Sequence, residues 1–116
     1  MVGEDIPSAM LSGFGFAGRI TFGFFDFEAR EYSPKSYENL EVTNLTGSLA
    51  WKNGKPLPHL HATAGNSSFA AIGGHLLALE VGRGSMEIHV MTLPDRLERI
   101  VDASIGANVL LLGPFG

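Results

Sequence analysis

The segment LEVTNLTGSLAWKNGKPLPHLHATA, residues 40–64, decides how this chain folds. Leu40 and Val42 alternate with polar neighbours, the period of a strand with one buried face. The phase slips near Asn44-Leu45 and resumes at Leu49 and Trp51, which predicts one long strand with a bulge or bend. Asn53-Gly54 follows, a pair that tolerates the positive φ of a tight hairpin turn. The chain is then predicted to return as a second strand from Leu57 to Ala64. Residues two apart on a strand share a face, so His59 and His61 stand side by side.

Upstream, Ile20, Phe22 and Phe24 alternate within Arg19 to Phe27 and predict another strand. Met10-Leu11 is apolar and is expected to break at Ser12-Gly13-Phe14-Gly15. The polar stretch from Glu28 to Ser36 is expected to turn at Ser33-Pro34. Downstream, Gly65-Asn66-Ser67-Ser68 reads as a turn, and Phe69 to Ile72 as a short strand ending at Gly73-Gly74. Leu76 to Val81 is a strand or a short connection. Ser85 to Thr92 is a strand, with Met86, Ile88 and Val90 on one face and Glu87 and His89 on the other. Pro94 to Val101 has proline at its start and Leu97, Ile100 and Val101 at i, i+3, i+4, which predicts a short helix. Asn108 to Leu112 is a last strand or a helical end.

A chain of 116 residues with 45% hydrophobic residues suits a single domain, 1–116, with a real core. The 15 glycines and 6 prolines imply many turns, and the short apolar segments rich in β-branched and aromatic residues favour strands. With no cysteine, disulfides and thiolate ligands are excluded, so any metal site must use histidine, carboxylate, carbonyl or water. No apolar run approaches the roughly eighteen residues of a membrane span and no signal-peptide pattern is present, so a cytoplasmic protein is expected. The net charge is −4 and the eight Lys and Arg are scattered, whereas nucleic-acid binders ordinarily carry a basic stripe. Gly82-Arg83-Gly84 lacks flanking arginine or proline and reads as a turn, not a minor-groove arm. Gly13, Gly15 and Gly18 match the spacing Gly-x-Gly-x-x-Gly, but a strand follows instead of a helix, which removes dinucleotide binding.

Chemistry is concentrated in Pro58-His59-Leu60-His61 and Gly73-Gly74-His75-Leu76. A lone strand histidine is ordinarily a hydrogen-bonding residue, but three of the four histidines cluster here. Neutral imidazole is the commonest protein ligand for zinc and similar divalent ions, and a three-histidine set leaves a coordination position open. The glycine pair is expected to let the backbone turn sharply and approach closely just before His75. Glu41 sits in an otherwise apolar or neutral strand and would need a partner if buried. Glu41 and Glu87 are the candidate proton carriers, should the site be catalytic. Glu4-Asp5 is expected to face solvent, and His89 to be a solvated or interface residue.

Several segments together resemble one family. Glu41-Val42-Thr43-Asn44-Leu45-Thr46-Gly47 is similar to its Glu-(apolar)-x-x-Leu-(small)-Gly strand. Pro58-His59-Leu60-His61 and Gly73-Gly74-His75-Leu76 resemble its His-x-His and Gly-Gly-His-Leu segments. Ser12-Gly13-Phe14-Gly15 resembles its Gly-(apolar)-Gly turn, and Met86-Glu87-Ile88 its later Glu-bearing strand. The family is the plants-and-prokaryotes conserved (PPC) domain, also called domain of unknown function 296, and the resemblance covers residues 6–92.

The resemblance implies an α+β fold, a mainly antiparallel sheet with one or two short helices, similar to that of acetolactate decarboxylases, which hold a metal with three histidines. It implies His59, His61 and His75 as metal ligands, and a homotrimer. Members commonly carry a strand and helix before the Gly-x-Gly turn; here the first strand and most of that helix are expected to be absent. Cover for the sheet would come from Ala103 to Gly116 or from neighbouring subunits. Prokaryotic members bear a DNA-binding label through plant relatives with an AT-hook, which this chain lacks. The sequence therefore supports a metal-binding protein with a binding or regulatory role, of unknown small-molecule ligand. A metal-dependent lyase or hydrolase acting on a small carbonyl or carboxylate substrate is the alternative. DNA association is the third reading, disfavoured by the acidic charge.

Overall fold

The computed structural model describes residues 6–111, and its described residues form seven strands. These are β1 (Ser8–Asp26), β2 (Glu31–Lys52), β3 (Lys55–Gly65), β4 (Ala71–Glu80), β5 (Met86–Leu93), β6 (Arg99–Asp102) and β7 (Ala107–Leu110). The mainly antiparallel sheet is as expected, but no helix occurs among the described residues, so the α+β expectation is corrected. Glu4, Asp5 and residues 112–116 lie outside the described residues.

The five-stranded sheet runs β2-β3-β4-β1-β5, and β2 also pairs with β1. The sheet therefore curls back on itself through two long, bent strands. β1 pairs with β2 from Ala9–Leu49 to Asp26–Glu31. Its opposite edge is shared, with β5 against Ser8 to Gly15 and β4 against Arg19 to Gly23. Inside the curl lie Ala17, Ile20, Phe22, Leu40, Val42, Leu45, Ala62 and Ala64. Ile20 is the largest fully buried apolar side chain, and burial of that kind contributes about 1.5–3 kcal/mol.

The hairpin read from residues 40–64 is present. Asn53 and Gly54 have φ of 51° and 76°, the turn conformation that matches strand twist, and Lys52 pairs with Lys55 across it. The phase slip is a register shift between Val42 and Asn44, which leaves Thr43 as the extra residue. Of the two readings of 76–81, strand or connection, the strand is present as the second half of β4, and the strand predicted over 85–92 is β5.

Four local expectations are corrected. The predicted break at Ser12-Gly13-Phe14-Gly15 is instead a bulge inside β1, with a register shift between Gly13 and Gly15. Gly15 has φ of 150°, and a Cβ there would sit 2.1 Å from the Ser85 carbonyl oxygen, so the glycine lets β5 lie against the bulge. The chain turns at residues 27–30 instead of Ser33-Pro34, where Asp26 Oδ1 accepts from the Glu28 and Ala29 amides. Pro34 thus lies within β2, opposite Gly23. Phe24 does not join the core and is 82% exposed. It lies beyond the last β1–β4 pair, Gly23–His75, where the β1–β2 ribbon runs on alone.

The fourth correction concerns the predicted helix over 94–101. Its last residues form β6 instead, which pairs with β7 from Arg99–Leu110 to Asp102–Ala107. Three apolar residues at helical spacing are too little for so short a helix to persist, and β-branched Ile100-Val101 suits a strand. The segment docks on the end of β2. The Trp51 amide donates to the Leu97 carbonyl at 2.8 Å, and the Arg96 guanidinium lies 4.1 Å above the Trp51 ring. Arg30 Nη1 donates to the Ala103 carbonyl at 2.9 Å and ties the β6–β7 turn to the β1–β2 tip. Residues 103–111, expected as cover for the sheet, form that turn and β7.

Candidate metal centre

β3 carries His59 and His61 on one face, and the adjacent β4 brings His75 directly opposite His61. The three ring centroids are 5.2, 5.2 and 5.5 Å apart. Nε2 of His59 and Nε2 of His61 are 3.3 Å apart, and the three ligand atoms lie within 4.8 Å of one another. Two features set this geometry. The Asn53-Gly54 turn fixes the register that puts Ser48 opposite His59 and Thr46 opposite His61. Gly73 pairs with Thr63, and a Cβ there would sit 2.9 Å from the Ala62 carbonyl oxygen. The close approach expected of the glycine pair is present, but the sharp turn is not: Gly73 and Gly74 lie within β4.

His59 and His75 are half-buried and His61 is exposed. Burial pushes the His59 and His75 imidazoles below their ordinary pKa. Arg99 and then His61 add to the effect at His59, as do His59 and then His61 at His75. All these influences favour the neutral ring, the form that ligates a metal. Tyr32 stacks on His75 at 4.3 Å and 12°, which holds that ring's plane. Nδ1 of His75 is buried with no hydrogen-bond partner among the described residues, an orphaned acceptor or donor of the sort a ligand relieves. The residues present therefore fit a divalent ion.

Arg99 is the member of this neighbourhood that sequence reasoning missed, because the helix prediction left its side chain unplaced. On β6 it is only 4% exposed. Its Nη2 donates to Ser48 Oγ at 2.6 Å, while Nε is buried without a partner among the described residues. Desolvation pulls the guanidinium below its ordinary pKa. A cavity of about 110 Å³ is lined by Tyr32, Leu57, His59, His75, Arg99 and Asn108. Asn108 Oδ1 accepts from Lys52 Nζ at 2.6 Å, which anchors β7 to the hairpin turn.

The two carboxylates proposed from sequence lie elsewhere. Glu41 pairs with Gly65, four residues along β3 from His61, or about 13 Å. It is exposed and lines a separate groove with Asn66 and Phe69. Glu87 is exposed on β5, opposite Phe14 of β1. Among the described residues no Asp or Glu joins the three histidines. His89 is exposed on β5, as expected of a solvated or interface residue.

The family model described as the Plants and Prokaryotes Conserved (PCC) domain matches residues 1–94. Among solved structures, a Ralstonia eutropha JMP134 protein provisionally named as DNA-binding is 52% identical. It superposes with a TM-score of 0.91 over 97% of this chain and 78% of that one. A metal-containing protein from Archaeoglobus fulgidus is 30% identical, with a TM-score of 0.79 over 92% and 76% of the two chains. A Pyrococcus horikoshii plant- and prokaryote-conserved (PPC) protein is 26% identical, with a TM-score of 0.75 over 90% and 73%. No curated protein matches the chain in sequence.

Proposed function

We propose, from the premise that this chain belongs to the Plants and Prokaryotes Conserved (PCC) domain family, that it holds one divalent metal ion on His59, His61 and His75 and serves a binding or regulatory role. The observation that carries this reading is the 3.3 Å between His59 Nε2 and His61 Nε2. Two nitrogens about 2.05 Å from a tetrahedral ion stand about 3.3 Å apart, so the pair is spaced for shared ligation of zinc or an ion of similar size. His75 completes the set from the neighbouring strand. Three neutral ligands leave the ion its full charge and an open position, where it would act as a Lewis acid toward a bound ligand. The metal-containing description of the Archaeoglobus fulgidus relative supports the assignment.

In this reading the protein is a cytoplasmic homotrimer. Exposed apolar residues of β1 and β5, among them Phe14, Ile88, Val90 and Met91, support self-association. The naming of the Ralstonia eutropha relative supports a DNA-associated role. The net charge of −4 favours a route through a partner protein over direct contact with phosphates. Metal analysis of the purified protein tests the central claim. About one equivalent per chain is expected, with a melting temperature that rises on adding zinc. Substoichiometric metal together with an unmoved melting temperature removes the centre.

A metal-dependent lyase or hydrolase is the second reading. One observation favours it: Arg99, a buried cation, lines the same cavity as two of the histidines.

A further inference from the structure

A buried charge is costly unless something of opposite sign accompanies it. Arg99 is 4% exposed, yet no carboxylate pairs with it among the described residues, where the one ion pair is Arg96–Glu98. Of its five N–H donors, Ser48 Oγ takes one, from Nη2. Nε is buried with no partner among the described residues. The arrangement is not incidental to the histidines. Ser48, which fixes the guanidinium, is the β2 residue directly opposite His59. Arg99, His59 and His75 line one cavity.

The geometry points to an anion subsite: a small organic carboxylate binds between Arg99 and the open position of the metal carried by His59, His61 and His75. This rests on the metal reading above. A divalent ion on three neutral imidazoles and a neighbouring guanidinium would make the cavity strongly positive, and among the described residues no carboxylate lines it. A planar guanidinium is the side chain best matched to a carboxylate. The rest of the wall argues for an organic anion over inorganic phosphate. Leu57, Pro58 and the Tyr32 ring give the cavity apolar sides, suited to a short carbon chain and not to a fully polar ion. A chain of a few carbon atoms is enough to fill the cavity's volume of about 110 Å³.

The test uses the full chain loaded with cobalt(II), whose visible spectrum reports its own ligands. Titration with propionate is expected to change the spectrum saturably. Propionamide, the same shape without the charge, is expected to leave it unchanged, and inorganic phosphate to bind more weakly than propionate. Arg99→Met is expected to keep its cobalt and lose about tenfold or more in propionate affinity. Arg99→Lys, which keeps the charge without the planar fork, is expected to fall between. Failure to take up cobalt overturns the metal reading and this inference with it. Cobalt uptake with a spectrum that propionate does not move overturns the inference alone. So does phosphate binding as tightly as propionate, or a folded Arg99→Met that binds propionate as well as the parent. If Arg99→Met does not fold, the propionate, propionamide and phosphate series on the unmodified protein decides.

Discussion

Replacing His61 with alanine separates the metal's contribution from that of the fold. His61 is exposed and packs no core, so the metal-free stability of His61→Ala is expected within about 0.5 kcal/mol of the parent. In the parent, zinc at a hundred times its dissociation constant adds about 2.7 kcal/mol to the folded state. A chain of 116 residues has an unfolding entropy near 0.24 kcal/mol per kelvin at its midpoint, so that addition raises the melting temperature by about 11 °C. With one of three ligands gone, the remaining pair is expected to hold zinc too weakly to register at the same concentration. Scanning calorimetry of both proteins, with zinc and with a chelator, gives the four melting temperatures required. The parent should show the shift and the variant almost none. A zinc-dependent rise of similar size in His61→Ala would refute the assignment, because the metal would then be held elsewhere.

Three further outcomes are expected. Burial lowers the pKa of His59 and His75 in the folded state, so the unfolded chain binds more protons below about 6.5, and the metal-free protein should lose stability as pH falls from there through the lowered values; urea unfolding across that range checks it, and stability rising on acidification would contradict it. Gly73→Ala places a Cβ 2.9 Å from the Ala62 carbonyl oxygen and should cost about 1–3 kcal/mol while weakening zinc binding, since β4 must draw away from β3; calorimetry and a zinc titration on the same sample read both effects. Light scattering should give the mass of three 12.4 kDa chains, and a monomer mass would remove the trimer.

What was legible in the sequence was what neighbouring residues determine. The hairpin over 40–64 follows from Asn53-Gly54 and the alternation on either side, and with it the placing of His59 and His61 two residues apart on β3. The slip at Thr43 could be read because a bulge displaces the apolar phase by one residue. Two failures share a cause. Gly13-Phe14-Gly15 has the composition of a turn, but its glycines serve a close approach to β5, a strand some seventy residues later. Residues 94–101 have a helical spacing, but Trp51 and Ser48 draw them onto the end of β2. Arg99 stayed hidden for the same reason: its hydrogen-bond partner is 51 residues away, and no local pattern records that contact. Glu41 stood out because it lies in an otherwise apolar or neutral strand, but the register, which that local pattern does not record, places both Glu41 and Glu87 away from the histidines.

The origin of the site residues divides its assembly in time. His59, His61 and His75 belong to the adjacent strands β3 and β4, and Ala64–Ile72 and Gly65–Ala71 pair close to the turn between them. Such near-neighbour contacts close quickly, whereas Tyr32 and Arg99 reach the site only after pairings between distant parts of the chain. A nascent chain would thus possess its ion-holding grip before it possesses any means of choosing what binds beside the ion. Metal scarcity during synthesis should slow maturation at an early, local step. If the proposed metal and anion sites hold, damage to the β6–β7 hairpin should instead leave a protein that binds the ion and has lost its discrimination.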